Sequence, residues 1–204
     1  MIEWQVSKKA VSYEQAIKQM ESRIKGIACR ELNQLIWCLE HPSMYTSGTS
    51  SKDEHILERD LLPVHQTSRG GSYTYHGPGQ RVVYVMIDLK KHGMDIRKFV
   101  WNLEELIIRT LKEFGINGYR EKDLIGIWIP ERNKIASIGL RVRKWVTFFG
   151  FSVNINPELK YFNSIIPCGN VGYGVTSFED QGVSISMNQF DKVLKNQFFS
   201  IFEN

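Results

Sequence analysis

Apolar positions recur along this chain with two different periods. Tyr13, Ala16, Ile17, Met20, Ile24 and Ile27 fall three or four residues apart, which predicts an amphipathic helix over residues 12–28. Ile96, Phe99, Val100, Leu103, Leu106, Ile107, Leu111 and Phe114 predict the longest helix, over about 95–115, ended at Gly115. Phe190, Val193, Leu194, Phe198 and Ile201 predict a closing helix over residues 187–202. The stretches between read as strands. NQLIWCLE (33–40) reads as a buried strand stopped by His41 and Pro42, with His41 taken as a turn residue. Residues 43–60 read as mostly loop with a short helix near the end, and PVHQTS (63–68) as a short strand. RVVYVMIDL (81–89) is apolar on both faces, as a central strand must be. LIGIWIP, KIASIGL and WVTFFGFSVNI add three short strands. Helices and strands mix without a regular βαβ alternation. The expected class is therefore α+β (mixed α/β): one domain over residues 1–204, with a mixed, largely antiparallel sheet flanked by helices.

Composition narrows the setting. The chain has 204 residues, 42% of them hydrophobic, enough for one domain with its own core. Cys29, Cys38 and Cys168 make an odd count without metal or disulfide spacing, which points to a reducing compartment and a cytoplasmic location. The N-terminus has no signal-peptide pattern, and no apolar run approaches the roughly 20 residues of a membrane span. A soluble monomer without membrane association is expected. The net charge of +4 suits acidic partners. Arg141, Arg143 and Lys144 form the densest basic cluster, either a solvated face or a docking patch. No polybasic run or nucleic-acid motif is present, so nucleic acid is not an expected partner.

Three segments carry candidate chemistry. RGGSYTYHGPGQ (69–80) holds four glycines and a histidine in twelve residues, more than a plain hairpin turn needs. Glycines let a ligand approach the backbone, whose N–H groups then bind an anion or a carbonyl oxygen. The segment is neither a P-loop nor a dinucleotide fingerprint. KIASIGLRV (134–142) opens with Lys134 on an otherwise apolar strand, a place where a lysine often just snorkels to solvent. In IIPCGNVGYGVTS (165–177), Cys168 follows an apolar run and precedes three glycines, as though a strand delivered it to a loop tip. A thiol displayed there is either incidental or a nucleophile. Cys29, in a helix, and Cys38, in a buried strand, read as structural. His55, His65 and His92 have no informative context.

Together, EHPSMYTSG, RGGSYTYHGPGQ, KIASIGLRV and PCG…GVTS resemble the lipoyl(octanoyl) transferase family in order and spacing. The likeness is strong from about Glu40 to Ser177. It implies a fold like that of biotin protein ligases and lipoate ligases, built around an acyl tunnel. It implies transfer of octanoyl from acyl carrier protein to a lysine of lipoyl domains, those of 2-oxo acid dehydrogenase complexes and of the glycine cleavage H protein. It implies no cofactor and no metal. By position, Cys168 matches the residue that forms the acyl-thioester and Lys134 the lysine that lowers its pKa. The substrate-binding segments match Arg69, Gly70, Gly71, Ser72, Tyr73, Thr74, Tyr75 and His76, then Ser137, Ile138 and Gly139, then Gly150, Phe151 and Ser152. The chain departs from the usual pattern at Phe149, where histidine is common, at Ser152, where alanine is common, and at Ser72, in place of a longer polar residue.

The chemistry agrees with that likeness. A thioester donor is already activated, so amide formation needs no nucleotide. A free thiol with a pKa near 8.5 is mostly protonated at neutrality, and a neighbouring ammonium favours the thiolate. The rival readings are an ATP-dependent ligase of the same fold, which needs no cysteine, a hydrolytic cysteine enzyme, which pairs cysteine with histidine, and a carrier-protein-binding module without catalysis.

Overall fold

The computed structural model describes residues 1–166 and 173–202; Cys168 lies outside the described residues. In chain order the elements are β1 (Ile2–Val6), α1 (Tyr13–Ala28), β2 (Gln34–Leu39), β3 (Met44–Ser47), β4 (Val64–Gln66), β5 (Tyr73–His76), β6 (Gln80–Met86), α2 (Ile96–Glu113), β7 (Tyr119–Glu121), β8 (Leu124–Ile129), β9 (Asn133–Arg143), β10 (Val146–Asn154), β11 (Gly174–Val175) and α3 (Met187–Phe202). Each helix begins where local chemistry allows. Ser12 Oγ accepts from the Gln15 N–H, and Asp95 Oδ1 from the Lys98 N–H. At α3, Ser186 Oγ accepts from the Gln189 N–H while Gln189 Oε1 accepts from the Ser186 N–H, a reciprocal cap.

The main sheet runs β1-β2-β6-β10-β9-β8-β7, with β11 added beside β9. β1 pairs with β2 and β11 with β9 in parallel; the other pairs are antiparallel. The sheet is thus mixed and largely antiparallel, as expected. β6 is its pivot. Val82, Tyr84 and Met86 pack on one face with Tyr13, Ala16 and Met20 of α1. Val83 and Val85 pack on the other with Phe99 and Leu103 of α2 and with Phe190, Leu194 and Phe198 of α3. A strand between two helical layers has no polar face to show, hence its uninterrupted apolar run. A buried ion pair, Arg81 Nε to Asp191 Oδ1 at 2.9 Å, ties β6 to α3.

A second, three-stranded sheet, β4-β3-β5, sits over its own small core of Tyr45, Ile56, Tyr73, Tyr75, Phe162 and Ile165. Here the sequence reading needs correction. Residues 44–47, expected in a loop, form β3, and residues 73–76, expected in the glycine-rich loop, form β5. Both strands are short, and their pairing partner lies elsewhere in the chain. β1 and β7 also lack a readable period. His41 is not a turn residue but wholly buried. Its Nδ1 lies 2.6 Å from the Val11 carbonyl and its Nε2 2.7 Å from the Tyr84 hydroxyl. Cys29 caps the C-terminus of α1 and is exposed, whereas Cys38 is buried in β2, where burial pushes its thiol pKa far up. Among the described residues, no strand precedes residues 167–172 directly. A 3-10 turn, Leu159–Ser164, precedes an isolated bridge between Ile165 and Ile56.

Candidate active site

The two sheets meet along one edge, where the glycine-rich segment lies between them. Its backbone is braced from both sides. The N–H groups of Gly48, Thr49 and Ser50 donate to the carbonyls of Ser72, Arg69 and Gly71, and the Gly70 N–H donates to the Leu140 carbonyl on β9. That last bond commits the Gly70 N–H to the fold. Arg69 acts as the clamp. Its guanidinium donates to the Thr46 carbonyl at 2.7 Å, to Thr46 Oγ1 at 2.8 Å and to the Gly70 carbonyl at 2.9 Å. Gly139 lets this clamp come close, since a Cβ there would stand 3.1 Å from Arg69 Cδ. Gly150 meets a harder limit: a Cβ there would lie 2.0 Å from the Val83 carbonyl oxygen.

These contacts border a narrow cavity of about 60 Å³ that opens to solvent. Arg69, Gly70, Gly71, Ser72, Tyr73, Thr74 and His76 line it, joined by Ser137, Ile138 and Gly139 of β9 and Gly150, Phe151 and Ser152 of β10. Lys134 lines it too. Of the described residues singled out in the sequence, only Tyr75 is absent from the wall. It is buried in the small core, stacked on Tyr161 at 5.1 Å and edge-on to Phe162 at 5.3 Å. The wall also includes Phe149, noted in the sequence only as a departure from the family pattern, and residues the sequence did not flag: Tyr13, Thr46, Thr67, Val82 and Tyr84. They come from four other elements or loops, and nothing local marks them.

Lys134 is not a snorkelling lysine. It is 5% exposed, with Nζ 4.7 Å from the centroid of the Trp128 ring, a cation–π arrangement. Space for it is made on β8. Gly126 has φ +124°, and a Cβ there would come within 2.9 Å of Lys134 Cε and 2.7 Å of the Ala136 carbonyl oxygen. The β8–β9 register shifts between Ile127 and Trp128, so a bulge next to this glycine aims the lysine. The chain on both sides of residues 167–172 is also anchored here. Val175 of β11 pairs with Lys134 itself, and Tyr173 meets Trp128 edge-on at 5.2 Å. On the other side, the Ile166 N–H donates to the His55 carbonyl, and His55 Nδ1 lies 2.9 Å from the hydroxyl of Ser72.

His76 is held by a chain of amides. Gln80 Nε2 donates to the Tyr75 carbonyl and to Asn154 Oδ1, and Asn154 Nδ2 donates to the Thr176 carbonyl. Gln80 Oε1 is then left to accept from His76 Nδ1 at 2.6 Å. The network thus assigns the proton to Nδ1 and leaves Nε2 as an acceptor. Burial lowers the His76 pKa to about 3, with the neighbouring His41 acting the same way. The ring is neutral at physiological pH. Among the described residues there is no group of three or more His, Cys, Asp or Glu placed to hold a metal, and no helix long and apolar enough to cross a membrane.

A small sheet laid over a larger mixed sheet, with a glycine-braced cavity between them and a buried lysine in its wall, is the fold shared with lipoate and biotin protein ligases. The chain belongs to the lipoyl protein ligase A/B catalytic domain family, whose model matches residues 12–199. Among its relatives, an octanoyltransferase of Parvibaculum lavamentivorans is 47% identical, the match covering 98% of this chain and 92% of that protein. One of Bartonella quintana is 45% identical over 98% of this chain and 87% of its own length. Among solved structures, a putative lipoate protein ligase of Thermoplasma acidophilum matches with a TM-score of 0.72 at 15% identity, covering 100% of this chain and 86% of that one. A biotin protein ligase of Aquifex aeolicus matches at 0.54 and 10%, covering 99% and 68%. These last two likenesses are of fold.

Proposed function

We propose that this chain is an octanoyltransferase that carries octanoyl from acyl carrier protein to a lysine of lipoyl domains, such as those of 2-oxo acid dehydrogenase complexes and the glycine cleavage H protein, through a thioester on Cys168. The single observation that carries the site is the cavity. It gathers three segments distant in sequence and has the buried amine of Lys134 in its wall. The relatives' shared activity supports the reaction.

The steps balance without a cofactor. The Cys168 thiolate attacks the donor's thioester carbonyl, and the bond from that carbonyl to the carrier sulfur breaks. The Lys134 ammonium gives its proton to the departing thiolate. Lys134, now neutral, takes a proton from the acceptor amine as that amine attacks the Cys168 thioester. The new amide forms, Cys168 leaves as thiolate, and Lys134 is again an ammonium. Thiolate suits both halves because it is a strong nucleophile and a good leaving group. The site works as a cytoplasmic monomer in this reading, with Arg141, Arg143 and Lys144 facing the acidic protein partners. His76, neutral and with Nε2 as an acceptor, orients rather than protonates.

The first experiment mixes the protein with octanoyl-acyl carrier protein alone, without ATP, and records its intact mass beside Cys168→Ser. The expected result is one octanoyl group gained by the wild type and none by the variant. No gain overturns the thioester route, and a gain that requires ATP points to an adenylating ligase. Lys134→Met should reduce acyl transfer at least 100-fold, the range of one lost general acid–base.

A further inference from the structure

Three paired strands lay a row of side chains along the cavity. Ser152 of β10 pairs with Ser137 of β9 on one side and with Val82 of β6 on the other. Val82 packs on the α1 face of the sheet, and directly paired residues share a face, so both serines point that way too. All three residues line the cavity. The next row on one side holds Gly139, Gly150 and Tyr84, and the next on the other holds Asn154 and Gln80.

Most polar groups around this row are already committed. Arg69 donates to Thr46 Oγ1 and to Thr67 Oγ1, Ser72 meets His55, and Gln80 donates to Asn154. The Tyr84 hydroxyl lies 2.7 Å from His41 Nε2. His41 Nδ1 faces the Val11 carbonyl, which only accepts, so in the neutral ring Nδ1 holds the proton and Tyr84 donates to Nε2. The Tyr84 oxygen is thereby left as an acceptor, as is His76 Nε2. The hydroxyls of Ser137 and Ser152 differ, since neither has a hydrogen-bond partner among the described residues. Ser152 is 4% exposed, so its hydroxyl is left to meet whatever fills the cavity. It also stands where the family pattern commonly has alanine.

An alkyl chain laid on this row strips water from two hydroxyls and returns no bond. A chain with its own hydroxyl restores the bonding. That group can accept from one serine while donating to the other, to His76 or to the Tyr84 oxygen, whereas a carbonyl oxygen can only accept. Ser137 lies three residues along β9 from Lys134, about 10 Å at the rise of a strand. That distance sets the row against the body of an eight-carbon chain whose carbonyl sits at Lys134.

We infer that this site also takes medium-length acyl chains bearing a hydroxyl group, with Ser137 and Ser152 as the residues that recognise it. This rests on the reading of the cavity as the acyl site.

The test offers octanoyl-acyl carrier protein and its 3-, 5- and 7-hydroxy analogues, with a lipoyl domain as acceptor, to the wild type, Ser137→Ala and Ser152→Ala. For at least one position of the hydroxyl, the wild type should transfer the hydroxylated chain at least as fast as octanoyl, read as kcat/KM. In Ser152→Ala octanoyl transfer should rise, because the covered hydroxyl is gone. The ratio of hydroxylated to plain chain should fall about tenfold in each variant, the worth of one hydrogen bond. An unchanged ratio, or a wild type that transfers every hydroxylated chain more slowly than octanoyl, overturns the inference. So does a loss of octanoyl transfer in folded Ser152→Ala, which would put that hydroxyl at the reacting carbonyl. A second measurement, on the wild type, checks the underlying reading. The protein is acylated with an octanoyl analogue bearing a mid-chain diazirine, irradiated and mapped by peptide mass spectrometry. Label on residues 137–139 or 150–152 upholds the acyl site whatever the ratios show. Label elsewhere, or no acylation, overturns the acyl site and the inference with it.

Discussion

Glycines decide this site atom by atom. Gly150 admits no side chain because the Val83 carbonyl oxygen occupies the place of a Cβ, and Gly139 leaves just enough room for the Arg69 clamp. Gly126 is more telling, since the space it leaves is filled by the Lys134 side chain. Gly126→Ala should therefore push the lysine off Trp128 and add the strain of a φ near +124°. The expected outcome is loss of 1–3 kcal/mol of stability, about the cost of overpacking. Transfer should fall at least tenfold beyond what that loss explains, read as kcat at a temperature where the variant is fully folded. Wild-type kcat in a folded Gly126→Ala protein would sever this glycine from the positioning of Lys134.

Strained turns mark the ends of β9. Glu131 and Arg132 have φ of +65° and +57° just before Lys134, and Lys144 and Trp145 have φ of +53° and +66° in the two-residue turn to β10. Two positive φ values in such a turn fit the twist of a hairpin, a geometry in which asparagine and glycine are preferred. The sequence has neither at 144–145, so the turn is imposed by the long β9–β10 ladder and by the packing of Trp145 on the main core. Lys144→Asn should accordingly raise stability by about 0.5–1 kcal/mol, or about 2 °C in Tm for a chain of this size. Differential scanning calorimetry checks it. Because Lys144 sits in the basic patch with Arg141 and Arg143, the same variant tests docking: at low salt the KM for acyl carrier protein should rise while kcat holds.

Over the whole molecule, buried imidazoles tie stability to pH. His41 is driven down to about 4, by burial first; the Val11 carbonyl and Glu14 pull the other way, and His65 lowers it further. Above about 6.5 the ring is neutral in both folded and unfolded chains, so stability there is full. Between about 6.5 and 4 the unfolded chain takes up a proton that the folded chain refuses. Stability then falls as pH falls, by up to about 1.4 kcal/mol per pH unit for one such histidine. His76 adds to the same trend. The urea midpoint should drop between pH 7 and pH 5, and His41→Asn should flatten that slope even if it lowers stability throughout. An equal slope in the variant would assign the acid sensitivity elsewhere.

The sequence by itself determined whatever depends on neighbours in the chain. The three helices are legible because an apolar stripe repeats every three or four residues. β6 is legible because a strand covered on both faces has no polar positions. The motifs also name Lys134 and the residues that line the cavity on the glycine-rich segment, β9 and β10, because close backbone approach needs glycine at fixed spacings. The tertiary structure decided the rest. β3 and β5 are too short to carry a period and exist by pairing within the small sheet, β3 with both β4 and β5. His41 became a buried hydrogen-bonding hub because Val11 and Tyr84 close around it. The motif names Lys134, but its burial appears only once Trp128 and Gly126 are placed beside it. Tyr13, Thr67 and Phe149, one from a helix, one from a loop and one from a strand, share no motif. They meet in the cavity wall because the fold brings α1 over the β9–β10 hairpin, and no periodicity in a linear chain records that.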